Sequence, residues 1–343
     1  YKHNLKIQHL KGFCLIGLGD LQKATEVFNN TLIDYPNDIE SLFGLAQLQA
    51  FEGKFSAAEK YYVEALSRES TNKKALLSLA LISLKLDKIE QAENFINQAI
   101  SHHNNNPEVY YYASYISLQK GNLEESEGFI RTALKLNPKY DKANALLAYI
   151  LYAKGKYEQT VEVCDFRISQ NRNNSEAWYL KSCAIYKLVA IEQAIKSLET
   201  VLKINPQDEV ARYFLEQLVC ENLEIEDARR KNYALYHVNA AQESVEKFNS
   251  NSALFEYIKA LKIHPLNLEV RLSYANWLLN EGYPEAFLSQ LKFIETQGVV
   301  SQTVSDKIES YDSLLENTIA NRWDLDPFYL DKSRISIGLY YKN

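Results

Sequence analysis

A period of 34 residues runs through this sequence, and no other feature limits the fold so tightly. Counting Pro107 as position 1 of its unit, position 8 in successive units is Gly12, Ala46, Ala80, Ser114, Ala148 and Ser182. Position 20 is Ala24, Ala58, Ala92, Ser126, Thr160 and Ala194. All are small, and two helices approach closely only where small side chains meet, so these positions mark a recurrent helix crossing. Position 15 is Gly19, Gly53, Asp87, Gly121, Gly155 and Val189, where glycine suits the left-handed residue that closes a helix. Position 32 is Pro36, Ser70, Asn104, Pro138, Arg172 and Pro206, and a proline there stops the second helix. Each unit is therefore predicted to be two amphipathic helices split by a tight turn, such as Lys120-Gly121-Asn122 within 107–140.

With that period and those residues, the chain resembles the tetratricopeptide repeat (TPR) proteins, whose helix–turn–helix unit has the same length. The resemblance implies an all-α fold, a right-handed superhelical solenoid in which each repeat contacts its neighbours. Regular repeats fall at 5–38, 39–72, 73–106, 107–140, 141–174 and 175–208, with a seventh starting at 209, so 5–222 is regular. Ala228 stands where the second helix of the seventh repeat belongs. The period then breaks. Ala253, Ala260 and Pro265 imply a start near Ala234, where strict repetition expects 243, so a helix is shortened or merged there or residues are missing. Residues 223–299 are read as irregular TPR-like repeats, with Tyr274, Ala275 and Gly282 in their places and Pro284 opening the following helix.

Residues 300–343 are read as a capping helix and an extended C-terminal segment. Thr303 and Asp306 are spaced as a capping box. Ile308, Tyr311, Leu314, Leu315 and Thr318 keep helical spacing to about Asn321, giving an apolar face that would cover the open end of the stack. Beyond lie Trp323 and Phe328 in an aromatic turn, then a strand-like alternation from Arg334 to Tyr341. The layout of 226–343 is similar to that of some spirochaete envelope TPR proteins.

Composition narrows the function. A net charge of -6 disfavours nucleic acid, which needs a basic surface. No apolar run is long enough to span a bilayer. The cysteines, Cys14, Cys164, Cys183 and Cys220, all fall within predicted helices, have no zinc-type spacing, and are expected to be small, buried, unpaired core residues. Unpaired thiols favour the cytoplasm. The alternative is a periplasmic or envelope-anchored protein after loss of an N-terminal signal, because residue 1 is Tyr. HExxH, GxSxG and phosphate-loop motifs are absent. Gly17 and Gly19 lack the third glycine of a nucleotide loop and fall on a repeat turn, and His102 with His103 reads as a solvated connector. Glu124-Glu125 and Glu226-Asp227 sit at helix starts, where carboxylates complement the dipole. The expectation is a non-enzymatic protein with no cofactor and no metal.

In the family, the first helix of each repeat lines a concave face. Carried onto this sequence, the inward positions form a tyrosine ladder: Tyr111, Tyr115, Tyr149, Tyr152, Tyr179, Tyr186 and Tyr213. Tyrosine offers wide contact area, a hydroxyl and little rotamer entropy to lose, which suits an interface. The expected function is a scaffold or adaptor that binds a peptide or extended protein segment along this groove. The asparagines of the family's carboxylate clamp are missing, since the corresponding positions are Phe13, Gln47, Leu81, Leu10, Gly44 and Ser78. Two alternatives stand beside it. The chain is a structural module of a larger, envelope-type assembly, or it is the TPR part of a longer enzyme or transport protein. The chain's own 323–343 is a further candidate to occupy the groove.

Overall fold

The structure, a computed structural model, describes residues 4–298 and 302–316, and these form eighteen helices and no strand. The chain divides into two compact units, Tyr1–Asp208 and Glu209–Asn343.

Unit 1 is six helix pairs. They are α1 (Leu5–Gly17) with α2 (Leu21–Asp34), α3 (Ile39–Phe51) with α4 (Phe55–Arg68), and α5 (Lys73–Lys85) with α6 (Ile89–His102). Then come α7 (Pro107–Gln119) with α8 (Leu123–Leu136), α9 (Asp141–Ala153) with α10 (Tyr157–Gln170), and α11 (Ser175–Lys187) with α12 (Ile191–Ile204). The first helices start cleanly because Asn4, Asp38, Asn72, Asn106 and Asn174 each accept a bond from a first-turn amide. The turns end them in one way. Gly19, Gly53, Asp87, Gly121, Gly155 and Val189 all have positive φ, between 61° and 83°. The following amide reaches back across the turn, as from Asn122 to the Ser117 carbonyl at 2.9 Å.

The small residues of positions 8 and 20 are buried, and they are where each pair crosses. At the α7–α8 crossing the hydroxyls of Ser114 and Ser126 donate to each other's backbone carbonyls at 2.9 and 2.8 Å, so two polar side chains fit where repeats two and three have alanine at both positions. First helices of neighbouring repeats also touch: α1 meets α3, α5 meets α7, α7 meets α9 and α9 meets α11. No pair of second helices packs as closely. Unit 1 is thus tighter on the side of its first helices, which makes that side the inner one.

Unit 2 begins with α13 (Glu209–Asn222) and continues through α14 (Ala228–Glu246), α15 (Ser250–Ile263), α16 (Leu268–Asn280), α17 (Pro284–Thr296) and α18 (Gln302–Glu316). Its core gathers Ala241, Ala253, Tyr257, Trp277, Phe287 and Ile308. Here the break in the period takes one of its expected forms, a merged helix. Ala228 does not open a short second helix for α13. It opens a 19-residue helix that pairs with α15, so the second helix of one repeat and the first of the next are merged. Phe248, at φ 56°, Gly282, at φ 86°, and Gly298, at φ 76°, are the left-handed turn residues of this unit. Thr303 lies inside the first turn of α18 and not before it, which removes its role as a cap. The strand-like segment, Trp323 and Phe328 lie outside the described residues.

One further expectation changes. Only Cys164 is buried; Cys183 and Cys220 are half-buried and Cys14 is exposed, because helix positions next to the inner face are only partly covered. Trp178 is half-buried and not a core residue. Its indole N–H needs an acceptor and donates to the Arg172 carbonyl at 3.0 Å, with the Lys181 ammonium over the ring.

Candidate functional site: a tyrosine band on the inner helices

The six ladder tyrosines of unit 1 lie on three successive inner helices. Tyr111 and Tyr115 are one turn apart on α7, Tyr149 and Tyr152 share a face of α9, and Tyr179 and Tyr186 are two turns apart on α11. Contacts from α7 to α9 and from α9 to α11 bring the six together. Tyr213, the seventh, stands on α13 of unit 2 and is 69% exposed.

The band is neither core nor fully free. Tyr149 is 53% exposed, and the other five are half-buried. Tyr111 packs edge-on against Tyr112 at 5.2 Å and, tilted, against Tyr140 at 5.5 Å, over the core that contains Ile130, Ala133 and Leu147. Tyr152 meets Tyr157 edge-on at 5.5 Å. Tyr179 donates its hydroxyl to the Cys183 sulfur, and the Lys187 ammonium lies 5.8 Å from the centre of the Tyr186 ring. Among the described residues, the hydroxyls of Tyr111, Tyr115, Tyr149 and Tyr152 make no hydrogen bond to protein.

Burial pushes the phenols of Tyr111 and Tyr152 above their ordinary value, and pushes Tyr179 and the flanking Tyr140 up to about 12. These hydroxyls stay protonated at any physiological pH and act as donors. The carboxylates beside the band are already engaged. Glu108 accepts from Lys73 at 2.6 Å, and Glu176 accepts from Arg167 at 2.8 Å. The inner face of repeats four to six therefore offers aromatic faces and protonated hydroxyls, with ion-paired carboxylates at its edge.

Three polar anchors were not visible in the sequence reading. Arg167 is 3% exposed and stands at position 27, where the three preceding repeats have Ala65, Ala99 and Ala133; it bonds Asp141 at 2.9 Å as well as Glu176. That departure from alanine was the available signal. In unit 2, Arg230 is 4% exposed. It donates from Nη2 to the carbonyls of Val219, Cys220 and Leu223, and from Nη1 to that of Ile263 at 2.8 Å. His237, 2% exposed, lies between Glu216 at 2.7 Å and Glu256 at 2.5 Å. Two cavities, of about 270 and 260 Å³, lie in unit 2 beside Glu209, Tyr236 and Glu256, and in unit 1 beside Asp141, Arg167 and Asn174. Neither contains a ladder tyrosine. No cluster of three His, Cys, Asp or Glu able to hold a metal occurs among the described residues.

Comparison with known proteins agrees with this geometry. Residues 50–113, 107–140 and 175–208 match family models described as tetratricopeptide repeat. No curated protein matches the chain. Among solved structures, that of Pseudomonas aeruginosa pilF is similar at 17% identity and a TM-score of 0.52, over 62% of this chain and 96% of that one. The Cut9–Hcn1 hetero-tetramer of APC/C is similar at 16% identity and a TM-score of 0.53, over 63% of this chain and 42% of that one. A tetratricopeptide repeat protein from Parabacteroides merdae aligns over 89% of this chain and 98% of its own, at 16% identity and a TM-score of 0.48. At these identities the likeness is one of fold.

Residues 50–140 and 175–208 are thus tetratricopeptide repeats, and the helical fold around them is of the same kind. Repeats of this family bind protein partners and typically serve as non-enzymatic scaffolds, which sets its function as protein–protein interaction. Among the described residues no helix is long and apolar enough to cross a membrane. The likeness of the C-terminal third to spirochaete envelope proteins is carried by none of these matches.

Proposed function

We propose that this protein is a scaffold that holds an extended segment of a partner protein along the inner face of α7, α9 and α11. The observation that carries the reading is the tyrosine band itself: six rings on adjoining helices, four of them with hydroxyls that no described protein group accepts. A core role would have buried the rings and matched the hydroxyls, because an unmatched buried polar group costs about 1–3 kcal/mol. An exposed ladder of large rings on the inner side of a stack gives an extended chain a continuous contact. The four unpaired cysteines support a cytoplasmic setting.

The test is to place a photo-crosslinking phenylalanine analogue at Tyr149 and to replace Tyr115, Tyr149 and Tyr186 together by Ala. Crosslinks from position 149 to a partner, lost in the triple variant while helicity and thermal unfolding are kept, support the groove. Equal capture by the triple variant moves binding to another surface. A second reading, docking through the turn edge, rests on Leu18, Phe51 and Val189, exposed by 82%, 70% and 81% in the turns of repeats one, two and six. Replacing these three by Ser or Gln would then abolish capture, and the tyrosine changes would not.

A further inference from the structure

Each first helix of repeats two to six is covered by the second helix of the repeat before it: α2 packs on α3, α4 on α5, α6 on α7, α8 on α9 and α10 on α11. The cover falls on positions 3 and 10, which are buried in all five repeats. Ala143 and Ile150, for example, share a core with Ile130 and Ala133 of α8. In repeat one the same positions are Ile7 and Cys14. Ile7 is 38% exposed, Cys14 is exposed, and Leu10 between them is 59% exposed. Residues 7, 10 and 14 recur at the spacing of one helix face, so they form an apolar stripe. The opposite face of α1 is the one that meets α2 and α3, with Gly12 against the Phe28 ring. The stripe is thus the surface that the later repeats give to a covering helix, and a contiguous apolar surface of this kind marks a docking site.

Position 7 says what the covering helix must carry. It is Leu45, Leu79, Ala113 and Leu147 in repeats two to five. In repeat six it is Lys181, and the Asp165 carboxylate of the covering helix α10 accepts from its ammonium at 2.5 Å. Repeat one also has lysine there. Lys11 is exposed, and no carboxylate pairs with it among the described residues. A helix lying on α1 as α10 lies on α11 meets Lys11 with whatever stands at the place of Asp165. Apolar residues flank that place: Cys164 and Ile168 in α10, and in α2 Phe28 and Leu32, which pack with Leu45 and Leu48 of α3. A second copy fits less well. Two α1 helices meeting about a two-fold axis would set both Lys11 side chains near the centre of the stripe, and like charges at the middle of an interface oppose pairing. We propose that the open face of α1 receives an amphipathic helix of a partner protein. It would lie as the second helices lie on the repeats that follow, with apolar residues four apart against Ile7, Leu10 and Cys14, and with an Asp or Glu directly after the first of them on Lys11.

The chain, residues 1–343, would be titrated with a fluorescent, alanine-based peptide of about 18 residues, long enough to hold a helix in water. The peptide carries leucines four apart and a glutamate directly after the first. The same peptide with lysine in place of that glutamate is the control. The expected result is saturable binding of the glutamate peptide, about tenfold or more tighter than the lysine peptide. Lys11→Glu should reverse that order. Leu10→Ser should weaken both peptides about tenfold, as loss of a central contact does, with helicity and thermal unfolding kept because Leu10 is exposed. Tyr149→Ala should change neither. Equal binding of the two peptides, or an order that Lys11→Glu leaves as it was, overturns the assignment of a carboxylate to Lys11. Binding lost in Tyr149→Ala and kept in Leu10→Ser puts the peptide in the tyrosine band and overturns the α1 site. Absence of binding by either peptide overturns it too. A dimer of the chain alone, seen in sedimentation and dissolved by Leu10→Ser, makes a second copy the occupant and overturns the partner helix.

Discussion

In unit 1 each helix pair crosses through small side chains, Gly12, Ala46, Ala80, Ser114, Ala148 and Ser182 facing the position-20 residues, and buried Arg167 adds ion pairs to α9 and α11 on top of that repeated crossing. In unit 2 the same spacing is interrupted by the long α14, and buried polar side chains join helices there. Arg230 holds the carbonyl end of α13 and that of α15, while His237 sits between carboxylates from the same two helices. A regular repeat presents the same apolar surface to each neighbour, so contact alone sets its register. Where two helices merge, the surface no longer repeats, and specific directional bonds fix how α13 lies on α14 and α15.

The largest break in that comparison should come from Arg230→Leu. It leaves three carbonyls at the end of α13 and one at the end of α15 without their donor, a loss of about 3–5 kcal/mol by analogy with breaking a buried charged contact. Hydrogen exchange read peptide by peptide should show protection falling across α13–α15 and unchanged in α3–α8. A fall shared equally by both units would mean that the clamp does not act locally.

Next in size is the pH dependence of unit 2. Burial opposes a charge on His237, but its hydrogen bonds to the carboxylates of Glu216 and Glu256 outweigh it and raise its pKa above the usual 6.5. The stabilisation is therefore complete below pH 6.5 and is lost as pH rises through the raised folded value. For Glu256, burial is outweighed by His237 and Lys259, which lower its pKa below 4.5. Its contribution is complete above pH 4.5 and is lost as pH falls through the lowered value. The groups facing His237 are Glu216 from α13, Glu256 from α15 with Lys259 attached to it, and the edge of Tyr236. Unit 2 should be most resistant to denaturant between these limits. Raising the pH should cost it on the order of one charged hydrogen bond, ~1.5–3 kcal/mol. His237→Gln should flatten the alkaline arm; an arm of the same slope in that variant would place the titration elsewhere.

Unit 1 should break sterically. The Phe28 ring is completely buried between Gly12 and Gly44, and a Cβ at either glycine would come within 2.3 Å of it. Gly44→Ala is expected to cost about 1–3 kcal/mol, as overpacking does. Combining it with Phe28→Leu should recover part of the loss, so a double-mutant cycle should give a coupling of ~0.5–3 kcal/mol. Additive losses would mean that the ring has room to move.

Much of unit 1 was legible because its determinants are local. Small residues twelve apart locate a crossing, and an Asn or Asp before a helix caps it. The positions of the ladder tyrosines on inner helices followed from the same register. What each ring touches did not, because Tyr111 meets Tyr140 and Tyr179 meets Cys183 through packing that the period does not encode. Tyr213 continues the register in sequence and stands on α13, the first helix of the other unit. Arg230 and His237 were silent for a related reason. Their partners include Ile263, 33 residues away, and Glu216, 21 residues away, and nothing adjacent in sequence marks either contact.

The smallest expected effect compares one position in both units. Val189 and Phe248 hold the left-handed turn residue at φ 61° and 56°, where most repeats have glycine. A β-branched or bulky residue in that region is strained by about 1–3 kcal/mol. Both side chains are exposed, by 81% and 96%, so little packing is lost on removing them. Against the relief stands the greater backbone freedom of glycine in the unfolded chain, roughly 0.5–1 kcal/mol. Val189→Gly should therefore stabilise unit 1 by about 0.5–1 kcal/mol, and Phe248→Gly should stabilise unit 2 by less, since Phe is not β-branched. Denaturant midpoints followed by exchange at α11–α12 and at α14–α15 would measure both. A loss of stability at 248 with a gain at 189 would mean that the Phe248 ring packs in solution against something its 96% exposure does not show, and the equivalence of the two turns would fail.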